Sequence, residues 1–91
     1  MALFALLLEF NGGTYISQVR SSSARGAVRK YATELTRNEE LGASNLRKHL
    51  AGSLGAEVPV AIEDTVNVWC CSASVSNKGL ALLNVIQTSE S

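Results

Sequence analysis

One histidine, one proline and two adjacent cysteines are all that the 91-residue chain carries of three residue types on which small-protein chemistry often turns. A structural zinc site takes four Cys or His ligands. His49 stands alone, and Cys70 and Cys71 are sequence neighbours whose side chains on a strand point to opposite faces. The same geometry keeps these two cysteines from bonding to each other easily, so they read as small buried hydrophobes. No metal and no cofactor is expected. Net charge is absent too: eight Lys and Arg offset eight Asp and Glu. No global field therefore draws the chain to nucleic acid or to a lipid surface. The most apolar run, "ALFALLL" at residues 2–8, stops at Glu9. It is too short to span a bilayer, and no basic residue precedes it as in a signal peptide. The expectation is a cytoplasmic protein without a membrane segment.

What is present is enough for one core. Hydrophobic residues make up 46% and charged residues 18%, which excludes disorder. The length fits a single domain, residues 1–91, with a modest interior.

Asn11-Gly12-Gly13 is the strongest local signal. A phosphate-cradling loop needs further glycines, then Lys-Ser or Lys-Thr opening a helix. Here the glycines are followed by "TYISQV", which alternates like a strand, so the triplet reads as a hairpin turn. A turn on either dipeptide sets Phe4, Leu6, Leu8 and Phe10 beside Tyr15, Ser17 and Val19. Both rows of residues 2–10 are apolar, as in a strand covered on both faces.

After a Ser21–Ser23 cap, the stripe Ala24, Ala27, Val28, Tyr31, Ala32 and Leu35 predicts an amphipathic helix. Gly26 either weakens that helix or lets it lie close to the sheet. Thr36–Glu39 has the spacing of a capping box ended by Gly42. A second helix is predicted over Ser44–Leu54, with Leu46, Leu50 and Leu54 inward and Gly55 as its stop. "AEVPVAIED" reads as an extended connection, because Pro59 cannot occupy a central ladder position. "TVNVWCCSASV" and "GLALLNVIQT" flank Ser76–Gly79 as a second hairpin. A loop of two or four residues there puts Trp69 on the same face as Leu82 and Ile86. The tail "SES" should fray.

The order is thus ββααββ, and the fold class α+β: a two-layer sandwich of a four-stranded, mostly antiparallel sheet with two helices on one face. The most apolar strands, residues 2–10 and 80–88, should be central. Two helices cover one sheet face. The other would expose Leu3, Leu7, Ile16, Trp69, Leu82 and Ile86, or the equivalent set from the other row, because the sequence does not say which face the helices cover; either patch is larger than a monomer usually shows. These six are the expected dimer or partner interface, with Trp69 as anchor.

Residues 20–37 carry Arg20, Arg25, Arg29, Lys30 and Arg37 against Glu34 alone. Arg25, Arg29 and Lys30 form a basic helix face that could meet phosphates or an acidic protein. No nucleic-acid motif accompanies it, so nucleic acid is the second reading, not the first. A minimal enzyme, or a small-molecule site between helices and sheet, is the third, around Tyr31, His49 and Cys70. It is disfavoured because nucleophiles sit at strand-to-helix turns and these cysteines fall mid-strand. Glu63-Asp64 reads as a solvated loop.

Residues 6–35, a strand, "GGTYISQV" and then a Ser-led, Ala-rich helix, resemble the opening of antitoxins of the HicB type. The Pro-containing loop and extra strand which that family has before the helix are absent here, and the ββααββ order departs from it. No residue role is carried over. The leading expectation is a small non-enzymatic protein that works by dimerising or by docking one protein partner. Toxin-neutralising immunity or antitoxin proteins are of this kind, an assignment by size and by lack of catalytic groups rather than by residues.

Overall fold

Asn11 and Gly12 both take positive φ, 50° and 82°, as the two-residue turn that best matches strand twist requires. The turn sets Phe10 opposite Gly13, and so fixes β1 (Ala2–Phe10) against β2 (Gly13–Ser21), with Leu8 facing Tyr15 and Phe4 facing Val19. This is the facing that the sequence predicts. The computed structural model describes residues 1–75 and 78–89. Ser76, Asn77, Glu90 and Ser91 lie outside it, and with them part of the second hairpin loop and most of the tail.

Helix α1 (Ala24–Leu35) starts where Ser23 Oγ accepts the Gly26 N–H at 3.0 Å, satisfying one of the orphan donors of the first turn. Its buried residues are the six of the predicted stripe. Val28, Tyr31 and Leu35 each contribute about 1.5–3 kcal/mol by leaving water. Gly26 is the close approach: a Cβ there would lie 2.3 Å from the Ser21 Oγ of β2. The cap that follows is Asn38, whose side chain accepts the Glu40 N–H at 3.1 Å. It opens a single 3-10 turn, Glu39–Leu41, which Gly42 ends at φ 121°.

Helix α2 (Ser44–Ala56) runs past the expected stop. Gly55 stays helical because it is a packing glycine: a Cβ there would lie 3.3 Å from Ala32 of α1. Leu50 and Leu54 are fully buried, and Leu46 is partly so.

The sheet has five strands, not four. β3 (Val60–Ala61), β4 (Val68–Val75) and β5 (Gly79–Ser89) complete the order β2-β1-β5-β4-β3, antiparallel throughout. The element order is therefore ββααβββ. β3 is the extended segment after Pro59. Being two residues long and at the edge, it pairs only Val60 with Cys70 and Ala61 with Trp69, so the missing proline donor does not matter. β1 and β5 lie inside the sheet, as their composition predicts. The chain leaves at the β2 edge and returns at the β3 edge, so α1 and α2 cross the same face on the way.

The register of the second hairpin differs from expectation. Val75 pairs with Gly79, three residues apart in the loop rather than two or four. A shift of one residue turns every side chain to the other face. Trp69, Cys71, Ala73 and Val75 thus join Ala81, Leu83 and Val85 beneath the helices.

Candidate functional site: an open sheet face

The pairings lay the second face out in rows across the sheet. Ala5, Gln18, Ile86 and Val68 form one row; Leu7, Ile16, Asn84, Cys70 and Val60 form the next; Glu9, Thr14, Leu82 and Ser72 form the third. Leu3 and Arg20 stand beyond one end and Leu80 beyond the other. Both helices pack on the opposite side. Ile16 is 71% exposed, Val60 64% and Leu80 59%, although single exposed apolar residues are ordinary only when scattered. Half-buried Leu7, Cys70, Leu82 and Ile86 lie between them.

Of the six residues expected at this surface, Leu3, Leu7, Ile16, Leu82 and Ile86 lie on it. Trp69 does not. It points into the helix side, its ring 6.0 Å from that of Phe4 and tilted by 53°, within the range of favourable aromatic pairs. The cause is the three-residue loop described above. The same shift brings Val68 and Cys70 onto the open face beside Ile86 and Asn84, and Asn84 is a residue of this face that sequence reasoning did not single out. The signal for Asn84 was available: a lone amide interrupting the apolar run "GLALLNVI" of a central strand.

At the β2 edge the backbone is guarded. Phe10 and Gly13 close the hairpin, so hydrogen-bonded pairs alternate from there and the Arg20 carbonyl points away from β1. The Lys30 ammonium donates to that carbonyl. Lysine at an edge strand opposes pairing with another chain. Arg25 and Arg29 are exposed on α1 with Lys30, but Lys30 is turned toward the sheet edge. The basic trio thus presents two outward guanidinium groups and one ammonium bound to the chain itself.

The third expected grouping does not come together. Tyr31 is buried in the core, His49 is exposed on α2, and Cys70 is on the sheet face turned away from both helices. Burial, helped by Glu34 and Tyr15, pushes the Tyr31 hydroxyl up to about 12. Burial, helped by Glu57 and Cys70, pushes the Cys71 thiol up to about 11. Both groups stay protonated at neutral pH, the wrong direction for a nucleophile. Among the described residues no three His, Cys, Asp or Glu side chains are grouped to hold a metal ion. No helix among them is long and apolar enough to cross a membrane.

The chain matches no protein-family model, no curated protein and no solved structure. Its resemblance to the opening of HicB-type antitoxins therefore supplies no family.

Proposed function

We propose that the chain is a protein-binding module that acts by covering its open sheet face with another protein surface, without catalysis of its own. The supporting observation is the unequal use of the two faces. One is sealed by α1 and α2, while the other presents the apolar side chains of Leu3, Leu7, Leu82 and Ile86 on the two inner strands β1 and β5, around Asn84. In water such a surface favours burial by about 25 cal/mol for each Å² removed. A small protein that acts by occupying a partner's surface, as toxin-neutralising proteins do, needs this and no more.

The test is to compare wild type with Leu7→Asp and Ile86→Asp for self-association and for retention of a protein partner. Both positions are on the open face and off the core, so the fold should survive. A carboxylate left uncompensated in a desolvated interface is expected to weaken association about a hundredfold or more. The reading fails if neither variant changes any association. It also fails if binding is to nucleic acid, falls steeply with salt, and is lost in Arg25→Ala with Arg29→Ala.

A further inference from the structure

We propose that the occupant of the open face is a second copy of this chain, seated about a two-fold axis that passes through Asn84. This rests on the reading of the open face as a binding surface, and it names the partner.

Asn84 is at the centre of the face in both directions. β5 is the middle strand of the five, and Asn84 lies in the middle row, flanked by Leu7 on β1 and Cys70 on β4. In a two-fold pair, whatever lies on the axis meets itself, so it must be complementary to itself. Apolar side chains meet that condition, and so does a primary amide, which offers both acceptor and donors. Two Asn84 amides can each give and take one hydrogen bond across the axis. Among the side-chain hydrogen bonds of the described residues, none uses the Asn84 amide, so no rearrangement of this chain is needed to provide it. A single polar residue in an apolar interface is a known device for fixing one register.

Charge agrees with self-pairing. The described residues of the face carry one acid and one base, Glu9 beyond the central row on one side and Arg20 beyond it on the other. The centre is uncharged, so a two-fold through it brings no like charges together there. A surface evolved for a charged partner would carry an excess of the opposite sign.

The area is sufficient. Four long strands at about 4.8 Å spacing and about nine residues of 3.3 Å rise give a footprint near 600 Å², compatible with molecular extents of 36 × 25 × 21 Å. Two such faces remove about 1,140 Å² from water, above the roughly 1,000 Å² that a biological interface clears. Lys30 at the β2 carbonyl disfavours the competing arrangement, a sheet continued edge to edge.

The experiment is sedimentation velocity of the full chain from about 1 to 100 µM, on wild type, Asn84→Asp and Leu7→Asp, with circular dichroism to establish folding. Wild type is expected to be a dimer. Asn84→Asp sets two carboxylates against each other on the axis and is expected to raise the dimer dissociation constant about a hundredfold or more with an unchanged spectrum. If Asn84→Asp fails to fold, Asn84→Ser, which removes the amide without adding charge, takes its place and is expected to weaken the dimer more than Thr14→Ala at the rim. Wild type that is monomeric at 100 µM overturns the second copy. The binding reading then stands only if Leu7→Asp abolishes capture of a different protein. A wild-type dimer unaffected by both variants overturns the second copy on this face, and the open-face reading falls with it if Leu7→Asp also leaves retention of a protein partner unchanged.

Discussion

Trp69→Ala separates the two registers of the second hairpin. In the structure Trp69 is half-buried on the helix side and paired with Phe4 at 6.0 Å. Truncating a fully buried tryptophan costs about 3–5 kcal/mol. A half-buried ring forfeits about half of that, roughly 2 kcal/mol, with about 0.5–1 kcal/mol of it in the aromatic pair. For a domain of this size that lowers the melting temperature by about 8–16 °C. Thermal and urea unfolding followed by far-ultraviolet circular dichroism read this directly, and sedimentation of the same variant reads association. The expected outcome is a clear loss of stability with the association constant unchanged within about threefold. A stable variant that no longer associates would refute the reasoning, because it would put Trp69 on the open face and restore the even-numbered loop.

Gly26→Ala should destabilise the chain by about 1–2 kcal/mol despite a helix-propensity gain of about 1 kcal/mol, because the added methyl meets Ser21 Oγ at 2.3 Å. Adding Ser21→Ala should recover at least about 1 kcal/mol, measured as a double-mutant cycle in urea; additive effects would contradict the contact. Alkaline pH should also destabilise the fold. In the unfolded chain the Cys71 thiol and Tyr31 hydroxyl ionise near their ordinary values of 9.0 and 10.0, whereas in the folded chain they wait until about 11 and about 12. Their contribution is therefore complete below about pH 9 and falls as pH rises through 11 and on toward 12. The urea midpoint should drop over that window, and Cys71→Ala should remove the lower part of the drop. A midpoint constant from pH 8 to 11 would count against the buried thiol.

Much of the fold was legible because each local rule agreed with its neighbours. Asn11-Gly12 fixed one hairpin, Ser23 capped α1, and six apolar residues at helical spacing turned out to be its buried stripe. Three features were not legible. β3 is two residues long, and its pairing is decided by where Trp69 and Cys70 lie, not by local preference. Gly55 looks like a helix stop, yet its role is set by Ala32, 23 positions away. The register of the second hairpin turned on whether the loop holds an odd or an even number of residues, and Val75 pairing with Gly79 leaves three. Gly79 takes φ 90° and pairs with Val75 as the first residue of β5, a conformation open to glycine at little cost. That odd-numbered loop moves Trp69 from the expected interface to the helix side, half-buried against the core. The surplus of apolar surface does not depend on that register, because both rows of β1 and of β5 are mostly apolar whichever way β4 faces.

Cys70 offers the most direct test of what covers that surface. It lies beside Asn84 in the middle row, while Cys71 is buried on the other side. Under native conditions the alkylation rate of Cys70 should fall as the protein is concentrated from about 1 to 100 µM, and Cys71 should remain unreactive. Asn84→Asp should make the rate fast at every concentration. A Cys70 rate in wild type that is fast and independent of concentration would contradict a second copy on the open face.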